Sequence, residues 1–347
     1  MWIISTGLYG QNLMQNKVNS ISEAAPVRTV SVLVTGANGF VGRALCASLI
    51  ADGHSVKGAV RRNDGVVHPG TSLVNVGEIN IHTDWSPALK GIDCVIHLAG
   101  RVHVMHETAA DPLVEFRQAN VGSTEHLARS AVAEGVRRLV FVSSIKVNGE
   151  ETEGGGCYTE LDVPAPQDPY GVSKWEAEQA LHRMAKETGL EVVIVRPPLV
   201  YGAGVKGNFA RMLRLLGTGF PLPLASVKNL RSMIYVGNLA DALSVCAKHP
   251  AAAGNTYLLR DSEDISTPDL MRLLAQGLGK PVLIMPFPLV LLKLAGKLLG
   301  KSAEVARLIS SLQIDSGKIS RELNWRPPYT SQQGLQATAE WFKASKP

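Results

Sequence analysis

Val30 to Ala51 reads VSVLVTGANGFVGRALCASLIA, and its three parts decide the fold. Val32-Leu33-Val34 is an unbroken apolar run ending at Thr35, as expected of a strand covered on both faces. Phe40 to Ala51 carries apolar residues at helical spacing, so the chain passes from strand to helix within Gly36-Ala37-Asn38-Gly39. Glycines at 36, 39 and 42 form a Gly-x-x-Gly-x-x-Gly turn. Such a turn bends tightly, brings backbone N–H groups close to a pyrophosphate and seats that anion at the positive end of a helix. Gly36, Asn38, Gly39, Phe40, Val41 and Gly42 are therefore the expected phosphate loop.

Downstream, short β-branched runs alternate with helical patterns. His54 to Val60, Asp93 to Leu98, Arg138 to Ser143 and Glu191 to Val195 read as strands; Gln118 to Gly135 and Trp175 to Thr188 read as helices. Parallel neighbours need long return connections, so the alternation predicts an α/β fold, a Rossmann-type doubly wound parallel sheet. After about Tyr201 the composition shifts toward Pro, Gly and Leu, which predicts a smaller C-terminal lobe over the strand ends, where open α/β sheets bind ligands. The expected division is an N-terminal extension over residues 1–28, a dinucleotide-binding domain over 29–200 and a mainly substrate-binding lobe over 201–347, with some elements returning to the first domain.

Composition narrows the function classes. With 347 residues, 45% apolar and 19% charged, the chain is neither disordered nor collagen-like nor a multi-span membrane protein. Its 35 Lys and Arg against 30 Asp and Glu leave a surplus of +5 that forms no basic stripe with interleaved aromatics, so no nucleic-acid partner is expected. Cys46, Cys94, Cys157 and Cys246 stand far apart without a C-x-x-C pair, which suits a reducing cytoplasm rather than a zinc site or a disulfide scaffold. Residues 1–28 lack the basic start and sustained apolar core of a signal peptide and read as a loose extension. Pro281 to Gly300 is strongly apolar, but Pro286, Pro288, Lys293 and Lys297 interrupt it. It falls short of the roughly 20 clean residues that span a bilayer, so it is expected to be a core helix rather than a membrane contact.

At the end of the second strand, dinucleotide sites commonly hold a carboxylate that accepts from the adenosine 2′-OH. Here Val60 stands there, followed by Arg61 and Arg62, with Arg43 just past the last glycine. Guanidinium groups suit a 2′-phosphate. The expected cofactor is NADP(H), with NAD(H) as the alternative.

Asp168-Pro169-Tyr170-Gly171-Val172-Ser173-Lys174 opens a helix, with Asp168 as its cap and Pro169 in its first turn. Tyr170 and Lys174, four apart, share one face. A neighbouring ammonium and a helix N-terminus both favour phenolate, so the pair is suited to exchanging a proton with a carbinol. Ser143 and Ser144, at the end of the strand before it, offer hydroxyls to the same oxygen, and Asn120 is expected beneath the site.

With these residues the chain resembles the extended short-chain dehydrogenase/reductase superfamily, in its nucleotide-sugar epimerase/dehydratase/reductase branch. The likeness runs from about Val30 to Trp341 and includes His97-Leu98-Ala99-Gly100, Asn120 to Thr124, Arg196 to Gly202, Arg231 to Val236 and Leu323 to Pro327. It implies that Tyr170 is the acid/base, that Lys174 holds the nicotinamide ribose and lowers the tyrosine pKa, and that Ser144 orients the substrate oxygen. It further implies that Leu98, Ala99, Gly100, Asn120 and Pro197 line the cofactor, that Glu78 lies near the adenine, and that Arg231 meets the substrate pyrophosphate. Lys146 and Asn208 join Ser144, Tyr170 and Arg231 as substrate contacts, and a homodimer through a helix bundle containing Tyr170 is implied.

Departures from the branch pattern discriminate among its reactions. In the 4,6-dehydratases an Asp and a Glu follow the Ser/Thr position; here Ile145 and Lys146 do, and without proton carriers the elimination is disfavoured. Val147-Asn148-Gly149 replaces the usual Val-Tyr-Gly. The two arginines after Val60 and the overall likeness favour a UDP-4-keto-6-deoxy-N-acetylhexosamine 4-ketoreductase of bacterial surface-polysaccharide synthesis. The alternative is a UDP-glucose or UDP-N-acetylglucosamine 4-epimerase. A reading of another class, a non-catalytic dinucleotide-binding redox sensor, is disfavoured by the presence of Tyr170 and Lys174.

His97, His103, His106 and Glu107 crowd together without His-Glu-x-x-His spacing, so no metal site is expected, and His103 or Met105 reads as a substrate contact or as loop packing. Lys206 and Asn208 lie in a loop where they either touch the diphosphate or shape a turn. Gly154-Gly155-Gly156 reads as a surface loop.

Overall fold

The computed structural model describes residues 29–62, 67–102 and 111–345. In chain order, β1 (Ser31–Thr35), α1 (Phe40–Ala51), β2 (Ser55–Val60) and β3 (Ser72–Asn75) are followed by a single turn α2 (Ser86–Leu89) and β4 (Cys94–His97). Next come α3 (Pro112–Arg117), a π-helical turn over Gln118–Gly122, α4 (Ser123–Ala133), β5 (Arg138–Val142), α5 (Pro169–Thr188) and β6 (Glu191–Arg196). The chain continues through β7 (Leu199–Tyr201), α6 (Gly207–Leu216), β8 (Met233–Tyr235), α7 (Val236–Lys248), β9 (Thr256–Leu258) and α8 (Thr267–Leu278). It ends with α9 (Leu289–Leu298), α10 (Ser302–Ile309), α11 (Gly317–Leu323) and α12 (Ser331–Ala344).

Seven strands form one parallel sheet in the order β3-β2-β1-β4-β5-β6-β9. The order reverses beside β1, and a crevice opens at the carboxyl ends there. The register aligns those ends: Thr35 pairs with His97, His97 with Phe141, and Val142 with Val195. The Rossmann-type α/β architecture expected from the sequence is therefore the observed one. Helix α1 packs beside α7 over one face of the sheet, and α4 and α5 cover the other. A second apolar cluster lies under α6, α8 and α12, beside the short parallel pair β7-β8.

Local rules account for the boundaries. Asp168 caps α5 by accepting from Gly171 N at 2.7 Å, and Gly189, at φ +78°, ends it. Thr330 and Gln333 form a reciprocal capping box at α12. Where the sequence predicted one helix from Gln118, the backbone instead makes a π turn before α4, a deviation that re-aims Asn120 into the interior. β3, β7, β8 and β9 escaped periodicity because each has three or four residues.

Pro281 to Gly300 corrects an expectation. It is not a core helix: of α9 only Gly296 is buried, while Val290, Leu294 and Leu298 are 76%, 50% and 78% exposed. The two prolines end the preceding segment, and α9 is left covering the second cluster with only one of its faces. Among the described residues no helix is long and apolar enough to cross a membrane.

Candidate active site

The turn from β1 to α1 forms the first wall. Gly36 has φ +67°, a left-handed conformation that an L side chain adopts only with strain. Gly39 N donates to Gly36 O at 2.9 Å, and a Cβ on Gly42 would stand 2.2 Å from that same carbonyl. The α1 N-terminus has no side-chain cap and no acid in its first turn, which leaves its N–H groups facing the crevice for an anion.

A buried network fixes the second wall. Thr35 Oγ1 accepts from Leu98 N at 3.2 Å and Ala99 N at 3.1 Å, so its own proton goes to His97 Nδ1 at 2.7 Å. His97 then carries its ring proton on Nε2 and donates to Thr124 Oγ1 at 3.0 Å. Burial, assisted by the Lys174 charge, lowers the His97 pKa to about 3 and keeps the ring neutral. Both ring nitrogens are thus engaged, whereas His103, Met105, His106 and Glu107 lie outside the described residues. Ala99 comes so close to the first wall that a Cβ on Gly36 would meet its Cα at 3.4 Å.

Asn120 ties this loop to α5. Its Oδ1 accepts from Arg101 N at 2.8 Å, and its Nδ2 donates to Arg101 O and to Ser173 Oγ at 2.9 Å. Gly100 sits in the angle, where a Cβ would be 2.9 Å from Asn120 Oδ1 and 3.7 Å from Lys174 Nζ. Lys174 is 3% exposed, donates to Val142 O at 2.9 Å and lies 4.4 Å above the Phe141 ring. Its burial brings its pKa down to about 8, against a raising influence from Glu178.

Tyr170 is half-buried in the first turn of α5, with its side chain hydrogen-bonded to Ser144. Burial pushes the phenol up to about 12, the Ser144 bond opposes this, and Asp168 adds to the rise. Desolvation dominates the state of this phenol, and the Lys174 ammonium is directed to a carbonyl and a ring. Ser143 Oγ, buried beside them at the end of β5, has no hydrogen-bond partner among the described residues. An unpaired buried hydroxyl costs free energy and marks a position where a ligand completes the bonding. The glycine cradle, the uncapped helix end and this hydroxyl together fit a bound dinucleotide.

Other expected residues fall as follows. Pro197 is buried and its carbonyl accepts from Ile145 N at 3.0 Å. Arg61 and Arg62 are exposed after β2, Glu78 is exposed beyond β3, and Arg43 lies against Gly204 rather than along β2. Asn208 is exposed at the start of α6. Lys146 forms ion pairs with Glu150 at 2.7 Å and with Asp168, so its ammonium lies between two carboxylates and holds the one that caps α5. Asn148, in place of the usual tyrosine, accepts from Arg196 Nη1 at 2.9 Å and donates to Thr159 O. Tyr158 instead packs its hydroxyl onto Gly149, where a Cβ would come within 2.0 Å.

Arg231 stands across from this cluster. Its Nη1 donates to Arg307 O and Ser310 O, each at 3.1 Å, and burial together with the neighbouring Arg307 charge lowers its pKa. The Glu150 carboxylate opposes that lowering, so Glu150 lies electrostatically between Lys146 and Arg231. The segment Ser311–Ile314 bridges the two sides, pairing with Thr152 and Tyr158 on one and with Arg231 on the other. Sequence reading missed Arg307, which belongs to no motif, and Thr35 and His97 as supports for the loop. It also missed Glu178, whose buried bidentate pair with Arg196, at 3.0 and 2.5 Å, locks α5 to β6.

Comparison with known proteins gives the family. The family model described as "NAD dependent epimerase/dehydratase family" matches residues 32–259. A UDP-glucose 4-epimerase of Vibrio cholerae is 44% identical over 318 residues, covering 90% of this chain and 95% of that protein. An N-acetyl-alpha-D-glucosaminyl-diphospho-ditrans,octacis-undecaprenol 4-epimerase of Escherichia coli O157:H7 is 28% identical over 328 residues, covering 90% and 95%. The crystal structure of UDP-glucuronic acid 4-epimerase from Bacillus cereus in complex with NAD shares the fold, with a TM-score of 0.72 at 21% identity over 90% of this chain and 99% of that one. The chain is thus a member of the NAD dependent epimerase/dehydratase family of extended short-chain dehydrogenases/reductases.

Proposed function

We propose that this enzyme is a 4-epimerase of UDP-linked hexoses. Sequence reading placed a 4-ketoreductase first and an epimerase second; the observation that reverses the order is the 44% identity to the Vibrio cholerae UDP-glucose 4-epimerase along nearly the whole chain. The site supports the same chemistry. Behind Ser144 stand the buried Ile145 and the ion-paired Lys146, so no carboxyl group follows the serine to carry protons for elimination of water. What remains is a pair of hydroxyls, on Ser144 and Tyr170, suited to moving one proton at one sugar oxygen.

In this reading Tyr170 removes the proton from the C4 hydroxyl and later returns one to the same oxygen, while Ser144 hydrogen-bonds that oxygen throughout. When bound, the oxidised dinucleotide supplies a hydride acceptor at C4 and a positive charge that favours the phenolate. Lys174 and Asn120 hold the floor beneath it, and Leu98, Ala99, Gly100 and Pro197 line its path. Gly36, Asn38, Gly39, Phe40, Val41 and Gly42 receive the cofactor pyrophosphate, with Glu78 toward the adenine. Arg231 and Arg307 bind the UDP diphosphate, Asn208 borders it, and Lys146 acts by holding Asp168 at the start of the Tyr170 helix. The family description favours NAD, and Arg61 and Arg62 extend acceptance to NADP. The homodimer forms through the helices around Tyr170.

Purified enzyme incubated with UDP-glucose or UDP-galactose, and with their N-acetyl counterparts, tests the reading by proton NMR of the sugar. Gluco/galacto interconversion without net consumption of dinucleotide is expected, with NAD identified by mass in the heat-released nucleotide. Oxidation of NADPH by a UDP-4-keto-6-deoxy-N-acetylhexosamine, with both hexoses unchanged, would overturn it in favour of the ketoreductase.

A further inference from the structure

We propose that the α9–α10 hairpin is a docking surface for an anionic phospholipid bilayer, on which the enzyme rests without spanning it. On the helical wheel of α9, Val290, Leu291, Leu294 and Leu298 fall within an arc of about 100°, and all four are exposed, Leu298 by 78%. Leu299 at its end is 73% exposed, and Leu283 in the preceding segment 57%. The opposite side of α9 is already used: Leu289 and Leu292 pack on the second apolar cluster, and Gly296 is so close to α10 that a Cβ would meet Val305 at 2.7 Å. The apolar stripe therefore points away from the fold, and among the described residues nothing covers it.

Charge identifies the occupant. From Lys280 to Lys301 the chain carries four cations, Lys280, Lys293, Lys297 and Lys301, and no carboxylate. Lys293 and Lys297 are exposed and follow the apolar stripe along one flank, where long stems lie on acyl surface while ammonium groups reach phosphates. An isologous contact with a second copy would set these cations against their own images, whereas anionic headgroups neutralise them. The segment is too short and too interrupted to insert across the bilayer, and no described helix qualifies as a span. Because α10 also presents its last-turn carbonyls to Arg231, the docked face adjoins the diphosphate side of the candidate site.

Co-sedimentation with vesicles tests this independently of any turnover. The full-length protein is mixed with vesicles of phosphatidylcholine alone and with vesicles containing phosphatidylglycerol at three parts in ten. Binding is expected only to the anionic vesicles and is expected to weaken as salt rises. Lys293→Gln with Lys297→Gln should lower the partition coefficient by roughly 30-fold, and Leu294→Glu with Leu298→Glu should abolish it. Both double variants alter exposed side chains, so circular dichroism melting and UDP-hexose turnover should match the parent. Absence of sedimentation with every vesicle, equal binding to neutral vesicles, or undiminished binding of the variants would each overturn the proposal. Sedimentation velocity gives the remaining outcome: a dimer that Leu294→Glu with Leu298→Glu converts to monomer, without vesicle binding, assigns the face to a second copy instead.

Discussion

Tyr170 and Lys174 show how two groups on one helix face acquire opposite perturbations from one cause. Desolvation disfavours charge, so it lifts the phenol to about 12 and brings the ammonium down to about 8. Abstraction of a carbinol proton needs phenolate, so its rate should climb with pH; Lys174 supplies the site's positive charge only while protonated, so the climb should flatten above about 8. A pH profile of the parent should show that break, and Lys174→Met should remove it. Tyr170→Phe should lower kcat by about 10²–10⁴, the range for a general acid/base, while the heat-released nucleotide stays stoichiometric. Undiminished turnover in Tyr170→Phe would remove the phenol from the mechanism. The residue types at these positions were legible in the sequence. The direction of the Tyr170 shift was not, because it depends on how much protein surrounds the hydroxyl.

Among the elements, α5 carries both Tyr170 and Lys174 and is held at three points. Asp168 caps its start, Lys146 clamps that cap, and Glu178 in its middle pairs with Arg196 at the end of β6. Arg196 is 4% exposed and Glu178 fully buried, so removing one partner strands a charge in the interior. Glu178→Gln is expected to cost about 3–5 kcal/mol in denaturant unfolding, and Glu178→Leu with Arg196→Met should recover much of that loss. Equal instability of both variants would show that the pair is needed for packing rather than for charge balance. The β1–α1 turn answers to sterics instead. Gly42→Ala places a methyl 2.2 Å from Gly36 O, so it should abolish co-purification of the dinucleotide and lower Tm. Both elements were visible as motifs. The π turn at Gln118 was not, since a one-residue change in helical winding leaves no periodic trace.

Across the whole molecule, the candidate site joins segments distant in sequence. Arg231 and Arg307 belong to the later part of the chain and Tyr170 to the earlier part, and Ser311–Ile314 ties them by pairing with Thr152, Tyr158 and Arg231. UDP alone should therefore stabilise the folded protein, by about 2.7 kcal/mol at a concentration one hundred times its Kd. Arg231→Ala and Arg307→Ala should each abolish most of that shift in a thermal melt. An unchanged UDP shift in both variants would move the diphosphate elsewhere. The apolar face of α9 belongs to this scale as well: its hydrophobicity was plain in the sequence, but its exposure follows from where α8, α10 and the second cluster leave room.

By itself the sequence determined the parallel sheet, the glycine turn and the Ser-Ser, Tyr and Lys positions, because strand and helix periodicity and glycine's access to positive φ are local properties. Only the tertiary structure decided that His97 is a neutral prop for the Leu98–Ala99 loop, that Lys146 serves Asp168, that Arg307 joins Arg231, and that α9 turns its leucines outward. Each of those follows from which groups are brought together and how much water is excluded around them, quantities set by contacts between residues far apart in the chain.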